Sequence, residues 1–464
     1  MLIGAFMKYY INTYGCQMNV HESEKMAGIL ENMGYTLAEK DAVADVVVFN
    51  TCAVRESAEQ KIFGNIGMLK NVKAKNPNMI IAVCGCMSQQ KGYPELILKK
   101  YPYVDIIFGT HNNAKLQEFL VQKQTKKHVV EVVETEDIRL RDSMEPTRTS
   151  GTNAWVNINY GCNNFCTYCI VPYVRGREVS RPMEDIVCEV ESLLKQGYKQ
   201  ITLLGQNVNS YGNDMADENI TFANLLKQID NLPYKFRLRF MSSHPKDLSE
   251  DVVKVMANSK NICHYLHLPV QSGSNKILKA MNRNYTHEHY MSLIDMCRKH
   301  MSYIEFSSYF IVGFPGETEE DFEDTIKLVK KVKYQQLFTF IYSKRKGTVA
   351  EKMPNQVDIK TKHQRLSKLI EIQREIATEI SSKYIGKKLE VLVEGIHPKK
   401  KGYLLGSTDF GKTISFEGAE DLLGSFVLVE VQKSNNTSLS GKIVDILEKS
   451  NSEYRLPLDK IRRK

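Results

Sequence analysis

Long hydrophobic runs are missing from this chain of 464 residues. No apolar stretch reaches the ~18 residues that a membrane-spanning helix needs, and residues 1–6 are too few for the hydrophobic part of a secretory signal. The sequence therefore predicts a cytoplasmic protein without membrane association. That compartment disfavours disulfides, because the cytosol keeps thiols reduced. Metal binding or catalysis then explains the ten cysteines better.

Three of these cysteines, Cys162, Cys166 and Cys169, lie within eight residues and are called the loop trio here. Thiolates bind soft metals, and this spacing lets the three converge on one centre. No fourth cysteine follows closely, whereas iron–sulfur clusters and all-cysteine zinc sites usually take four. The loop trio therefore predicts a cluster with an open coordination position. A zinc knuckle lacking one ligand, or three buried thiols without metal, are the alternatives.

A cysteine also follows each of three strand-like segments near the start of the chain. The segments are residues 8–13, 45–50 and 79–83, and the cysteines, called the sheet-edge trio, are Cys16, Cys52 and Cys86. Parallel strands share one edge at their carboxyl ends, where ligands bind, so a second three-thiolate site is predicted. Ordinary buried cysteines are the alternative, and geometry alone does not choose Cys86 over Cys84. Helices are expected over residues 23–33 and from about Ser88. A fourth strand is expected over residues 104–108, and it places His111, as a residue of the following loop, near the same edge of the sheet.

Strand and helix patterns alternate from residue 154 onward. The strands are expected at residues 155–158, 201–204, 236–240, 265–270, 304–310 and 336–341. Such alternation predicts parallel βαβ units, here an incomplete (β/α)6 barrel whose active face lies at the strand carboxyl ends with the loop trio. The cysteines that fall within or beside these elements, Cys188, Cys263 and Cys297, are predicted to be core residues.

Polar and glycine-rich segments follow several of these strands, on the face that carries the loop trio. Each could be simple turn chemistry, but glycine also lets the backbone approach a ligand closely, and their shared location favours a binding site. The candidate cofactor-binding residues are Gly205, Gln206, Asn207, Ser243, His267, Gln271, Gly313 and Phe314.

A change of composition marks the C-terminal part of the chain. Residues 359–384 are amphipathic and are expected to close the barrel before Gly386, and short β-type runs follow at 389–393, 402–405, 413–416 and 426–431. They predict a small antiparallel β-barrel. Its lysines are candidate RNA-phosphate contacts, with a solvated charged face as the alternative: Lys387, Lys388, Lys399, Lys400 and Lys401.

The fold class is therefore α/β, with five expected segments. They are an N-terminal open parallel α/β domain at 7–133, a linker at 134–152, the partial barrel at 153–384, the small β-barrel at 386–450 and a basic tail at 451–464.

Four motifs of the first domain, with the loop trio, resemble MiaB-type radical S-adenosylmethionine (SAM) methylthiotransferases, and the resemblance covers the whole chain. They are residues 13–19 (TYGCQMN), 50–56 (NTCAVRE), 84–87 (CGCM) and 108–112 (FGTHN). The sequence departs from the family pattern at Val174, Asn284, Tyr309, Val349 and Ser407. The resemblance implies two [4Fe–4S] clusters, one on the loop trio that binds SAM and an auxiliary one on the sheet-edge trio. It favours Cys86 over Cys84, and it identifies the small barrel as a TRAM-type RNA-binding domain.

The resemblance also implies the reaction, which is conversion of N6-isopentenyladenosine beside the tRNA anticodon into its 2-methylthio derivative. The loop-trio cluster would reduce SAM to give a deoxyadenosyl radical, and the sheet-edge cluster would carry the sulfur, so all six cysteines are catalytic candidates. A reductant such as flavodoxin or ferredoxin is implied, and a monomer is expected. The alternatives are a methylthiotransferase acting on threonylcarbamoyladenosine in tRNA or on a ribosomal protein, and a non-catalytic iron–sulfur RNA-binding sensor.

Overall fold

The computed structural model describes residues 7–53, 56–134, 145–148 and 151–450, and the backbone of Arg462–Arg463. Most of the predicted linker and, apart from that backbone pair, the predicted basic tail lie outside the described residues. Within the described residues, no helix is both long and apolar enough to cross a membrane.

The N-terminal domain is an open sheet in which every neighbouring pair of strands is parallel. Its order is β2-β1-β3-β4-β5-β6, and β20 pairs with β1. The strands are β1 (Lys8–Thr13), β2 (Thr36–Leu37), β3 (Val46–Thr51), β4 (Ile80–Gly85), β5 (Ile106–Phe108), β6 (Val129–Glu131) and the late β20 (Arg462–Arg463). Every residue of β3 is buried, as its continuous apolar run predicts for a central parallel strand.

Five helices of this domain cover the two faces of the sheet. They are α1 (Gln17–Asn32), α2 (Glu56–Met68), α3 (Lys70–Lys75), α4 (Tyr93–Lys100) and α5 (Leu116–Lys123). Helix α1 begins six residues before its predicted start, and Cys16 is its N-cap residue. The predicted start near Ser88 is wrong, because the chain turns after β4 and α4 begins at Tyr93.

The middle of the chain is the predicted six-stranded partial barrel. Its strands are β7 (Asn153–Asn157), β10 (Gln200–Leu204), β11 (Arg237–Phe240), β12 (Tyr265–His267), β13 (Glu305–Val312) and β14 (Gln336–Ile341), and β8 (Asn159–Tyr160) pairs with β9 (Val179–Ser180) beside them. The orders β11-β10-β7 and β12-β13-β14 join through a parallel bridge between Leu238 and Ile262. The sheet is therefore continuous across six parallel strands.

Helices wrap the outside of this sheet. They are α6 (Val171–Arg175), α7 (Met183–Lys195), α8 (Phe222–Asp230), α9 (Glu250–Asn258), α10 (Asn275–Ala280), α11 (His287–His300), α12 (Glu319–Val332) and α13 (Ile359–Ser382). The sequence analysis missed α9, which Ser249 caps by accepting a hydrogen bond from the Val252 N–H. Cys263 and Cys297 are buried as predicted. Cys188 is exposed, and its prediction as a core residue is wrong, because α7 buries Ile186 and Val190 on the opposite face.

The C-terminal domain is a closed five-stranded barrel in the order β15-β16-β17-β19-β18. Its strands are β15 (Lys388–Ile396), β16 (Tyr403–Thr408), β17 (Thr413–Glu417), β18 (Phe426–Ser434) and β19 (Ser438–Glu448). The sequence analysis missed β19, and the barrel is not wholly antiparallel because β17 and β19 pair in parallel. Arg237, at the amino end of β11, donates to the carbonyls of Glu390 and Ser407. The small barrel therefore docks at the end of the partial barrel opposite the loop trio.

Candidate iron–sulfur and cofactor site

The loop trio lies between β8 and α6, in a loop that the chain folds back on itself. Gly161 opens this loop with a φ of +73°, and a Cβ there would come within 1.9 Å of the Arg177 carbonyl oxygen. Only glycine fits that conformation and that close approach. The Cys162 N–H then donates to the Gly176 carbonyl (3.2 Å) and the Cys169 N–H to that of Cys166 (2.8 Å).

The three thiols of the loop trio lie within electrostatic range of one another. Burial and the neighbouring Cys166 raise the pKa of Cys169 to about 12. Burial and Cys166 likewise raise the pKa of Cys162, although a backbone hydrogen bond at Asn164 opposes them. Thiolates at this site therefore need positive charge for stability, which a metal supplies.

One buried cation already serves this loop. The Nη1 of Arg283 lies 3.5 Å from the Sγ of Cys166. The guanidinium is fixed by its bonds to the Pro269 carbonyl (2.6 Å) and the Tyr285 hydroxyl (2.7 Å). It can offset part of the negative charge of a thiolate-ligated cluster.

The sheet-edge trio gathers at the carboxyl edge of the N-terminal sheet. A Cβ on Gly15 would lie 2.9 Å from the Sγ of Cys52, so Cys52 packs beside the residue before Cys16. Burial raises the pKa of Cys86, Arg175 lowers it, and Cys16 raises it, which places these three groups together. Cys84 points elsewhere, since it is fully buried with its Sγ 3.8 Å from the Met26 Sδ in the core.

The donor set of each trio, three thiols, fits a [4Fe–4S] cluster. Among the described residues, no three His, Cys, Asp or Glu side chains are placed to hold one metal ion. A lone zinc ion needs every thiolate sulfur at about 2.3 Å. In a [4Fe–4S] cluster each cysteine binds a different iron, so more widely spaced thiols are suitable.

Helix α6 connects the two trios. Its N-cap residue Ile170 and its residue Val174 pack against Ala53 and Cys86 in a small apolar cluster. At the end of the helix, the Nη2 of Arg175 donates to the Oδ1 of Asn19 (2.8 Å). The two trios therefore lie near each other where the carboxyl edge of the N-terminal sheet meets the carboxyl face of the partial barrel, and this junction is called the cleft here.

Several of the predicted cofactor-binding residues carry buried polar atoms that have no hydrogen-bond partner among the described residues. These atoms are Gln206 Oε1, Asn207 Oδ1, Ser243 Oγ and His267 Nε2. Leaving such a group unpaired costs about 1–3 kcal/mol, so these atoms fit a polar ligand that would pair with them. A SAM molecule offers ammonium, carboxylate, ribose and adenine groups to such atoms.

His267 is held in a defined state inside the barrel. Burial lowers its pKa to about 4, so the imidazole is neutral at physiological pH. Its Nδ1 lies 2.7 Å from the Oγ of Ser307, which also accepts a bond from the Tyr265 hydroxyl. The Nε2 is left for a ligand.

Gln271, with a φ of +76°, is also buried, and its backbone N–H donates a hydrogen bond to the Tyr309 carbonyl.

The remaining cofactor candidates lie beside the cysteine loop. The Gly313 N–H donates to Glu317 (2.6 Å), and its Cα packs against the Lys362 side chain. The ring of Phe314 is buried, 6.4 Å from that of Tyr168. These residues support the loop, and their contact with a cofactor stays a prediction. The contact of Gly205 with a cofactor also stays a prediction, and its Cα touches the Asn159 amide.

Three family models match consecutive parts of the chain. The uncharacterized protein family UPF0004 matches residues 8–109, the radical SAM superfamily residues 156–329 and the TRAM domain residues 382–444. Among curated proteins, the tRNA-2-methylthio-N(6)-dimethylallyladenosine synthase of Thermoanaerobacter sp. (strain X514) is 50% identical and covers 96% of this chain and 94% of its own. That of Clostridium tetani (strain Massachusetts / E88) is also 50% identical, over 94% and 96%. The chain belongs to the tRNA-2-methylthio-N(6)-dimethylallyladenosine synthase family.

Family membership confirms the resemblance drawn from the cysteine motifs. A solved structure supports the fold of this synthase-family member. It is the radical SAM methyltransferase TsrM from Kitasatospora setae, with cobalamin and a [4Fe–4S] cluster bound. The match covers 75% of this chain and 77% of that one, at 15% identity and a TM-score of 0.52. The α/β fold class with its partial barrel is therefore confirmed.

Sequence reasoning missed three charged residues of the site. Arg175 and Arg283 approach cysteine thiols, and Glu178 is a buried carboxylate whose pKa burial raises to about 7. It accepts hydrogen bonds from Ser210 and from Asn159 (3.2 Å). The one available signal was the charged run at 175–178 directly after the loop trio.

The lysines of the small barrel are exposed in this synthase-family member, as an RNA contact requires. All five predicted lysines are exposed. The Nζ of Lys400 lies 5.1 Å from the ring centre of Tyr403, and that of Lys387 lies 5.6 Å from the ring of Tyr384. Their contact with phosphates stays a prediction.

Proposed function

We propose that this protein is a radical SAM methylthiotransferase that converts N6-isopentenyladenosine next to the tRNA anticodon into 2-methylthio-N6-isopentenyladenosine. The observation that carries the proposal is the pair of cysteine trios lying near each other at the cleft, in a chain 50% identical to synthases of that name. Insertion of sulfur at an unactivated aromatic C–H position is beyond acid–base groups, so the chemistry belongs to cofactors.

The proposal assigns a [4Fe–4S] cluster to each trio. The loop trio would leave one iron open to SAM, and the sheet-edge trio would hold the auxiliary cluster. When bound, the clusters and SAM supply the radical chemistry and the sulfur. Arg283 offsets charge at Cys166, while Ser243 and His267 supply polar atoms that orient a ligand. Ile170 and Val174, which pack with Cys86 in an apolar cluster, would limit the access of water between the two centres.

The small barrel would bind the tRNA by its phosphates. The five exposed lysines give charge without base specificity, so affinity should fall steeply with salt. Because this barrel docks at the opposite end of the partial barrel from the cleft, the tRNA would span both. We further propose that the protein acts in the cytoplasm as a monomer and receives electrons from a flavodoxin or ferredoxin.

Nucleoside analysis of tRNA tests the proposal. A deletion strain should accumulate isopentenyladenosine and lose its methylthio derivative, and the wild-type gene should restore it. Loss of methylthiolation on threonylcarbamoyladenosine or on a ribosomal protein instead would assign the protein to another branch. An unchanged nucleoside profile would favour the RNA-binding sensor.

Metal analysis gives an independent check. Anaerobically reconstituted protein should hold about eight irons per chain, as two [4Fe–4S] clusters. Four irons, or stoichiometric zinc, would contradict the assignment of a cluster to each trio.

A further inference from the structure

Two aromatic side chains and an arginine gather on the surface of the cysteine loop. The rings of Phe165 and Tyr173 meet edge to face with centroids 6.0 Å apart. The guanidinium carbon of Arg177 lies 4.4 Å from the ring centre of Phe165. Phe165 is half-buried, Arg177 is exposed, and Tyr173 is 52% exposed. An exposed tyrosine ring and guanidinium contribute little to the core, so folding does not explain the group.

The group is held rigidly. Phe165 has a φ of +45°, a left-handed conformation that costs a bulky residue free energy. The Asn282 amide holds it there by donating to the carbonyls of Asn164 (3.2 Å) and Phe165 (3.1 Å). On the other side of Arg177, the Glu178 N–H donates to the Asn163 Oδ1 (3.3 Å). A surface fixed in this way is organised before any ligand arrives.

The position of the group ties it to the reaction. Phe165 directly precedes Cys166 of the loop trio. Tyr173 lies on α6, and buried Val174 of this helix packs with its N-cap residue Ile170 against Cys86 of the sheet-edge trio. The aromatic surface therefore lies beside both trios, at the cleft that they share.

The chemistry of the group suits an unpaired nucleobase. Proteins recognise single-stranded RNA by splaying bases out and stacking them on aromatic rings and guanidinium planes. Arg177 forms no ion pair with any residue that the structure describes, so its charge is available to an anionic RNA. A chemically distinct partner, such as a protein electron donor, would not require a planar guanidinium above a ring.

We propose that Phe165, Tyr173 and Arg177 form a stacking platform for an unpaired base of the tRNA anticodon loop, next to the adenosine that is modified. The inference rests on the proposed function, since it takes tRNA as the substrate. The platform holds the loop open over the cleft while the lysines of the small barrel hold its phosphates.

Binding of an RNA hairpin with the anticodon-loop sequence and isopentenyladenosine tests the platform in the reconstituted holoprotein. Tyr173→Ala should weaken binding about 5- to 150-fold, the range for loss of one stacked base. The slope of affinity against salt should not change, because stacking releases no counterions. Tyr173→Phe keeps the ring and should bind as the wild type does. The matched control is Tyr303→Ala, which removes a 62%-exposed tyrosine from the turn before β13.

Cleavage of SAM without RNA should be equal in all four proteins, which excludes damage to the loop trio. A loss below twofold in Tyr173→Ala, or an equal loss in Tyr173→Phe or Tyr303→Ala, would overturn the platform. A changed slope of RNA affinity against salt would also overturn the platform, because it would show that Tyr173 positions phosphates instead of stacking on a base. If the Tyr173→Ala protein bound RNA normally but was reduced more slowly by flavodoxin, the surface would be a binding site for the electron donor instead. A wild-type holoprotein that binds no RNA would overturn the proposed function itself, whereas the other outcomes leave that function standing.

Discussion

Replacing Arg283 by glutamine should make the loop-trio cluster harder to reduce. The arginine is buried, and its Nη1 is 3.5 Å from the Cys166 sulfur. Burial lowers its pKa, but Tyr285, Tyr168 and Cys166 raise it so that the net pKa is well above the usual value, and the residue stays charged. Adding an electron to a cluster beside this charge is favourable, and the neutral amide of glutamine removes that benefit.

The size of the effect follows from Coulomb's law. For a unit charge roughly 6 Å from the centre of the added electron, at an effective dielectric constant of about 20, the interaction is about 3 kcal/mol. A one-electron couple shifts ~59 mV for each ~1.4 kcal/mol, so the midpoint potential should fall by about 120 mV. Arg283→Lys keeps the charge and should shift the potential by less than about 30 mV by the same arithmetic.

A redox titration followed by electron paramagnetic resonance measures this potential. The titration uses protein in which alanine replaces the sheet-edge trio, so that the remaining signal comes from one cluster, and it is run without SAM. A midpoint potential of the Arg283→Gln variant within about 30 mV of the parent would refute the electrostatic role of Arg283. An equal fall in the lysine variant would show that geometry, not charge, is responsible.

Three further predictions concern the cysteines and the barrel histidine. Alanine at any member of the loop trio should abolish deoxyadenosine formation. Alanine at any member of the sheet-edge trio should leave SAM cleavage intact, but isopentenyladenosine should accumulate in the tRNA. Methylthiolation by a Cys52→Ala protein would contradict the ligand assignment. Cys297→Ala should cost about 1 kcal/mol of unfolding free energy because that thiol is buried, and Cys188→Ala should cost less than about 0.5 kcal/mol because that one is exposed, as urea unfolding would show. Buried His267 should contribute a fall of about 2 kcal/mol in the free energy of unfolding of the apo-protein from pH 6.5 to pH 5, because the unfolded state binds a proton that His267, with its pKa of about 4, does not. His267→Gln should remove this contribution from the pH dependence of stability, followed by the fluorescence of Trp155, the single tryptophan, and an unchanged pH profile would argue against a neutral buried imidazole.

The ends of helices show where sequence patterns were insufficient. Apolar periodicity locates the middle of α1, but its first two turns include polar and charged residues such as His21 and Glu22, which are buried. The pattern therefore placed the helix start too late. Likewise, α9 was missed because it is short, although Ser249 is a good cap and two acidic residues open the helix.

The sequence by itself determined the loop trio and the order of α/β sheet, partial barrel and small barrel. Local spacing carries the first, since three thiols within eight residues need no distant contact to converge, and alternation of strand and helix patterns carries the second. Only the tertiary structure decided which residues surround the thiols. Arg283 is 117 positions from Cys166, and Arg175 meets Cys86 and Asn19 across two domains. Cys84 and Cys86 are equivalent in a strand pattern, but the turn at Gly85, with a φ of +92°, leaves one in the core and brings the other to the cleft. Such contacts depend on how the two domains pack, which no short stretch of sequence encodes.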